Sequence, residues 1–289
     1  MHIKKIDYAD IQGLLAFAPE TIRRRFTPQR PVRALTHGGQ LLAVWTMWRE
    51  DNQPGILQFV GYLRPGKDVA LRYGRKIIDN LWAKAKPNEL LLVRGAGQHS
   101  EFVEWLIENE HFREVGSRAE AELVLSDCTI APNPLNAGRV LTFSELAGRP
   151  RLRDDFAAAV FWRQNQLHHL HPSVLSTSAM WAQLEPLQLH DAPVAIVKRS
   201  TITAVAVLAH APQTGVQLQL VGGEEPEITQ LLPFVLAYAA KHYRAIDVTI
   251  SNEDRISQTL QRRLPLAPTP IVYDYAAIRP ERLSASKGE

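Results

Sequence analysis

A short basic loop has the clearest potential for chemistry in this sequence. It spans residues 64–70 and comes directly before a stretch with the apolar spacing of a helix. A helix start offers unpaired N–H groups and about half a positive charge, which together favour an anionic ligand. Gly66 and Ala70 permit close approach of the backbone, while Arg64 and Lys67 add positive charge. The loop therefore suits a phosphate-bearing ligand.

Other side chains could transfer a proton. His99 and Glu101 follow an apolar run of buried-strand type, and a histidine titrates close to neutral pH. Tyr273 and Tyr275, on the last predicted strand, offer phenols as alternatives.

Three histidines end a predicted helix at His168, His169 and His171. Residues at this spacing do not converge on a metal without a fourth ligand, and no carboxylate is close by in sequence. Favourable charge at a helix C-terminus is a simpler explanation for them. The single cysteine, Cys128, also argues against a cysteine-based zinc site, and no metal is expected.

The composition is that of a folded protein with two domains. The chain has 289 residues, of which 45% are hydrophobic and 22% charged, with a formal net charge of +3. That charge is too small to indicate nucleic-acid binding, so no nucleic-acid partner is expected from it. No apolar run approaches the roughly 18 residues of a membrane span, and the N-terminal residues do not resemble a signal peptide. We expect a cytoplasmic protein that does not bind membranes.

The elements that must position these side chains follow one order in each half of the chain. The order is a strand, two helices, three antiparallel strands, a helix, a strand, a helix and two strands. In the first half, strands are predicted at 3–8, 32–35, 41–48, 56–63 and 89–93, with a closing hairpin of 112–115 and 121–125. A segment rich in Pro and Asn at 131–138 is the predicted linker between domains 1–130 and 139–283, and 284–289 is a polar tail.

The two halves are an internal repeat. Residues 32–61 align with 193–222 at a constant offset of 161 without a gap, and seven positions are identical. The best-matched part pairs Leu57–Gly61 with Leu218–Gly222. One later gap of four residues aligns Leu91 with Val248. A repeat of this length indicates a duplicated domain.

This succession resembles the GNAT fold of acyl-CoA-dependent N-acyltransferases, used twice in tandem. The resemblance implies an α+β (mixed α/β) architecture of two mostly antiparallel mixed sheets, each flanked by helices. In such folds the fourth and fifth strands diverge, and the pantetheine arm of acyl-CoA pairs with the fourth strand like an added strand. The pyrophosphate then binds at the start of the next helix. The family's loop reads Gln or Arg, two residues, Gly, one residue, and Gly or Ala; here Arg64 is one position out of register and Asp68 replaces a Gly.

By this resemblance the first half holds the acyl-CoA site. The implied residues are Val60, Gly61, Tyr62, Arg64, Gly66, Lys67, Asp68, Val69 and Ala70. At the same place the second half has Glu224, Glu225 and Glu227, whose carboxylates would repel a pyrophosphate.

The family's usual catalytic side chains are missing from both halves. Neither fourth strand has the common Glu base, and Ile107 falls where a Tyr normally acts as general acid toward the thiolate. The candidate substitutes are His99, Glu101 and Asn252. Because the first helices of this fold line the acceptor side, the resemblance places His168, His169 and His171 there.

The predicted function is acetyl transfer from acetyl-CoA to a primary amine on a small molecule or peptide, by a monomer or homodimer. Two alternatives stay open. Both copies could keep the fold without transfer chemistry and serve as a binding or scaffold protein. A tRNA-dependent aminoacyl transferase of paired-GNAT type is the other, because five arginines lie within residues 23–33.

Overall fold

The computed structural model describes residues 2–51, 53–65, 68–96, 101–128, 132, 138–167, 175–211, 215–251, 254–267, 269 and 271–279. The first half contains β1 (His2–Ile6), α1 (Gln12–Leu15), α2 (Glu20–Arg23), β2 (Val32–His37), β3 (Gln40–Trp48), β4 (Ile56–Leu63), α3 (Val69–Trp82), β5 (Leu90–Ala96), α4 (Glu101–Glu110) and β6 (Arg113–Val124). The second contains β7 (Arg139–Thr142), α5 (Phe143–Ala147), α6 (Pro150–Leu167), α7 (Thr177–Leu184), β8 (Pro193–Lys198), β9 (Thr201–Ala211), β10 (Gly215–Gly223), α8 (Glu225–His242), β11 (Ala245–Ser251), α9 (Arg255–Arg263) and β12 (Ile271–Ile278). Among these described helices, none has both the length and the apolar character to cross a membrane.

The chain forms two compact units, each built on one sheet. The first unit comprises Met1–Gly116 and Val272–Glu289, and the second comprises Ser117–Ile271. The strand order is β1-β2-β3-β4-β5-β12 in the first unit and β6-β11-β10-β9-β8-β7 in the second. Parallel pairing joins β4 to β5 and β10 to β11, and the other pairs within the units are antiparallel. The predicted mixed, mostly antiparallel sheets are confirmed.

In the first unit, alternation along β4 divides the core between the two faces of the sheet. Leu57 and Phe59 pack with residues of α3 and α4, including Ile78 and Leu106. Val60 points the other way and packs with residues of α1 and α2. The period of two in a strand therefore gives the first unit an α1–α2 face and an α3–α4 face.

In the second unit, one core joins all the long helices to the sheet. Its members include Phe156 and Val160 of α6, Trp181 of α7 and Val235 of α8. Thr142 begins α5 with a reciprocal capping box to Glu145, which satisfies donors that a helix start leaves unpaired.

The structure confirms the register of the repeat. Leu57 pairs with Leu91 in the first unit, and Leu218 pairs with Val248 in the second. Those are the equivalences expected from the offset of 161 and the later gap of four residues.

The strands that close each half differ from those predicted from the sequence. The predicted hairpin of 112–115 and 121–125 is wrong, because Arg113–Val124 is one strand. Ser117, Ala121 and Leu123 are buried on alternate positions, so the period of two continues through the segment. The compact units also differ from the expected domains 1–130 and 139–283, since β6 pairs with β11 and β12 pairs with β5.

Candidate active site

A notch opens between β4 and β5 in the first unit. The two strands pair over four positions, from Ile56 with Leu90 to Phe59 with Val93. Beyond that point β5 continues beside β12 alone. Among the described residues, Val60–Leu63 therefore have β3 on one side and no strand on the other. This is the divergence of the fourth and fifth strands that the resemblance to the GNAT fold implied.

Two peptide groups of β4 point into the notch. The Arg64 N–H donates to the Leu42 carbonyl oxygen at 2.7 Å, which identifies a hydrogen-bonded pair of the β3–β4 ladder. Because such pairs alternate along antiparallel strands, Gly61 and Leu63 direct their N–H and C=O groups away from β3. An extended ligand with amide groups could pair with this edge.

Gly61 is needed for the packing at the notch. A Cβ at this position would lie 2.9 Å from Cε1 of Phe102, a contact too short for any side chain without a shift. Phe102 is buried at the start of α4 and stacks with Trp105, their ring centroids 6.3 Å apart. The Phe102 ring thus borders the notch on the α3–α4 face.

The basic loop leads from β4 into α3 as predicted, although Asp68 does not cap the helix. Asp68 is the first flanking residue, yet its side chain accepts no hydrogen bond from the helix and lies 3.8 Å from exposed Arg72. Within the described part of the chain, the first-turn N–H groups of Val69 and Ala70 have no acceptor. These donors and the exposed Arg64 suit a phosphate. Gly66 and Lys67 lie outside the described residues.

Tyr62 of β4 is a predicted site residue at the edge of the notch. Burial raises the pKa of the Tyr62 phenol, and the negative charge of Glu101 raises it further. The Tyr62 hydroxyl donates to the Phe17 carbonyl oxygen at 2.9 Å, which ties the end of α1 to β4. Arg64 and Phe17 also line an open cleft of about 390 Å³ together with Gly13, Leu14, Leu41 and Pro65.

The corresponding strands of the second unit diverge earlier. Only Gln217 with Asp247 and Leu218 with Val248 pair between β10 and β11. The pairing of β10 with β9 shifts by one residue between Leu218 and Leu220. Such a bulge reverses the faces of the residues that follow. Accordingly Gly222 meets a residue of α6, whereas its counterpart Gly61 meets a residue of α4.

Arg163 of α6 occupies the notch of the second unit. Its Nε donates to the carbonyl oxygen of Val221 at 2.7 Å, and its Nη2 donates to Oδ2 of Asp254 at 2.5 Å. The residue is 7% exposed, and its Cγ would be 3.3 Å from a Cβ at Gly222. A side chain of the protein therefore binds the edge of β10 that an added strand would need.

The sequence patterns did not predict this pair, although each member has a recognisable place in the sequence. Arg163 falls on the buried stripe of α6, after Phe156, Ala157 and Val160, where a charge needs a partner. Asp254 caps α9 by accepting a hydrogen bond from the Ser257 N–H.

Several predicted site residues lie outside the described part of the chain. They are His99, Asn252, His168, His169 and His171. Among the described residues, no group of three or more His, Cys, Asp and Glu could hold a metal ion. Ile107, at the place of the family's Tyr, is 39% exposed.

Neither a protein-family profile nor a curated protein matches the sequence. Solved structures do match. A GCN5-related N-acetyltransferase from Sphaerobacter thermophilus is 12% identical, with 96% of this chain and 95% of that chain covered and a TM-score of 0.63. A tandem GNAT protein from the clavulanic acid biosynthesis pathway, without AcCoA, is 10% identical, with 96% and 98% covered and a TM-score of 0.59. An acetyltransferase of the GNAT family from Colwellia psychrerythraea is 10% identical, with 96% and 100% covered and a TM-score of 0.54. At these identities the likeness shows the fold, and the chain has the fold of tandem GNAT proteins.

Proposed function

We propose that the protein is an acyl-CoA-dependent N-acyltransferase that binds acyl-CoA in its first unit. The observation that carries this proposal is the Val60–Leu63 edge, which no described strand covers on the β5 side and which runs directly into a basic loop and a helix start. A pantetheine amide would pair with the Gly61 carbonyl oxygen and the Leu63 N–H, which leaves the Gly61 N–H for the thioester. The pyrophosphate would receive the N–H groups of Val69 and Ala70 and the charges of Arg64 and Lys67.

Transfer would proceed by direct attack of an amine on the thioester carbonyl carbon. The Gly61 N–H, which points into the notch, is placed to stabilise negative charge that develops on the carbonyl oxygen. The amine must first lose a proton. β4, described in full, contains no carboxylate to accept it, so the base must come from a neighbouring element such as α4, where Glu101 begins the helix.

The second unit would bind no acyl-CoA. Arg163 holds the Val221 carbonyl oxygen, and the helix start behind it carries Glu224, Glu225 and Glu227. One acyl-CoA per chain is therefore expected.

Titration of the protein with acetyl-CoA tests this proposal. Calorimetry should give one site per chain, and saturating ligand should raise the melting temperature, because a ligand that binds only the native state stabilises it. The double variant Arg64→Glu, Lys67→Glu should weaken binding by about tenfold or more, which corresponds to about 1.4 kcal/mol. Arg151→Glu, an exposed change on α6, is the matched control and should bind like the wild type. Absence of a melting shift at millimolar acetyl-CoA would refute the proposal.

A binding protein without transfer activity is the second candidate. It is favoured by Ile107, which cannot protonate a departing thiolate. Binding of acetyl-CoA without release of thiol in the presence of any amine would support it. The tRNA-dependent alternative has less support, because two of the five arginines already have partners within the chain. Arg24 pairs with Glu20 at 2.6 Å, and the Arg30 guanidinium lies over the Trp48 ring at 3.9 Å.

A further inference from the structure

A group of charged side chains lies in the first unit where β4 and β5 stop pairing. Arg94 is the first residue of β5 beyond the last pair, and its position is level with Val60. Its Nε is 3.5 Å from Oδ2 of Asp274, and its Nη1 is 3.7 Å from Oε1 of Glu50. The side chains of Arg94 and Asp274 are only 13% and 14% exposed. Arg94 and Asp274 therefore lie largely out of water, at the level of the Gly61 peptide, while Glu50 is 40% exposed.

The alternation of β12 places Asp274 on the face of Arg94. Ala276 pairs with Leu92, and Asp274 lies two residues before Ala276. Tyr273 pairs with Ala96 and Tyr275 pairs with Val93, so two residues of β5, Arg94 and Gly95, lie opposite the single residue Asp274. An extra residue in one strand of an antiparallel pair redirects a side chain, and such bulges are common beside functional sites. A carboxylate missing from β4 is thus supplied from the last strand of the chain.

A buried acceptor on the same face of the sheet is an independent sign of a ligand. Gln58 is fully buried, and in register it lies between Trp48 of β3 and Leu92 of β5. Leu92 precedes Arg94 by two residues, so Gln58 and Arg94 belong to the same face. The Gln58 Nε2 donates to Gln53, but its Oε1 has no partner among the described residues. A buried acceptor without a donor is destabilising, which favours a donor supplied by a bound molecule.

We propose that Asp274 receives the protonated primary amine of the acceptor, with Gln58 Oε1 as a second hydrogen-bond acceptor. The proposal rests on the proposed function and names its acceptor class as alkylammonium compounds. Arg94 positions Asp274, and Glu50 in turn orients Arg94 while its charge also interacts with Arg30. The Glu101 side chain is exposed, whereas the Asp274 side chain is only 14% exposed, and a charge interaction is stronger where water is largely excluded.

The reaction then has a complete proton balance. The ammonium transfers one proton to the Asp274 carboxylate, and the free amine forms the C–N bond with the thioester carbonyl carbon. The C–S bond breaks, the second proton of the adduct goes to the departing thiolate, and the products are an N-acyl amine and free CoA thiol. Asp274 later releases its proton to water.

Thiol release from acetyl-CoA in the presence of different amines tests the role of Asp274. The probes are butylamine and spermidine, which are charged at neutral pH, and aniline, which is neutral. Asp274→Asn should lower kcat/KM for the charged amines by about tenfold or more, because the ion pair and the base are both lost. With aniline the rate should change less than about twofold, since a neutral amine needs neither the ion pair nor a base to remove a proton before attack. Glu50→Gln, at a side chain that is 40% exposed and so tolerant of change, should give an intermediate loss.

The matched control is Asp79→Asn, which removes an exposed ion pair with Arg75 on α3 and should leave transfer unchanged. Equal rates of Asp274→Asn and wild type with the charged amines would overturn the inference. It would also be overturned if the wild-type protein acylated only aniline, or none of the three amines. The melting shift with acetyl-CoA separates these results from failure of the proposed function. It should be the same in wild type and Asp274→Asn.

Discussion

One arginine distinguishes the two notches. In the second unit Arg163 supplies the donor that an added strand would bring, and its buried charge is offset by Asp254 and the Val221 carbonyl oxygen. In the first unit Phe102 lies against Gly61 and has no polar group to offer. In the part of the chain that the structure describes, the outward peptide groups of Gly61 and Leu63 have no such partner.

The Arg163–Asp254 pair should make stability depend on pH. Burial alone would raise the pKa of Asp254, but hydrogen bonds from Arg163 and Ser257 outweigh burial and hold that pKa below its usual value. A lowered pKa stabilises the folded state above the unfolded value of roughly 3.9, and this stabilisation is lost as pH falls through the folded value. Urea unfolding should show Asp254→Asn less stable by about 3 kcal/mol at pH 7, with a difference that shrinks below about pH 4.

Asp154→Asn is the control for this measurement. Its partner Arg153 is 3.1 Å away, but both side chains are exposed, so the change should stay within about 0.5 kcal/mol at every pH. A difference between wild type and Asp254→Asn that does not vary with pH would contradict the argument.

At the scale of elements, the same turn is built twice from different residues. Gly38 and Gly39 join β2 to β3 with φ of 55° and 78°, and Arg199 and Ser200 join β8 to β9 with φ of 50° and 66°. Two residues in the left-handed conformation match the twist of the strands in a two-residue hairpin. Glycine adopts this conformation without the steric penalty of a Cβ. The second turn is therefore strained.

Replacing Ser200 by glycine should relieve that strain. The φ of 66° costs a residue with a Cβ about 1 kcal/mol, so Ser200→Gly should raise the free energy of unfolding by about that amount. Gly38→Ala should lower it similarly, because nothing lies within 4 Å of the added Cβ and only the backbone conformation changes. Chemical denaturation measures both, and an unchanged or lower stability of Ser200→Gly would contradict the prediction.

Local patterns predicted most elements but not their irregularities. Leu57–Gly61 and Leu218–Gly222 differ in one residue of five, yet the register of β10 shifts after Leu218 while β4 stays regular. Gln58 is consequently buried and Gln219 exposed. A bulge depends on the neighbours of a strand, so nearly identical pentapeptides adopt different geometry.

At the scale of the whole molecule, each sheet is completed by a strand from the other half of the sequence. β12 pairs with β5 in the first unit, and β6 pairs with β11 in the second. Each exchanged strand covers an edge that would otherwise expose unpaired backbone groups. The stability of one half should therefore require the other.

Cutting the chain in the segment 131–138 tests this dependence. Fragment 1–130 lacks β12 and fragment 139–289 lacks β6, so neither should melt cooperatively by itself. Mixed or co-expressed fragments should recover a cooperative transition and elute together on gel filtration. A separate fragment that melts within a few degrees of the intact protein would show that the exchanged strands contribute little.

The amino-acid sequence by itself determined the repeat, the order of elements and the position of the basic loop, because periodicity and helix-start chemistry act over a few residues. Tertiary structure decided which strand completes which sheet and which notch stays open. Arg163 and Asp254 are 91 positions apart, and Asp274 reaches Arg94 from the last strand. Such contacts depend on how distant segments pack, and no local pattern encodes them.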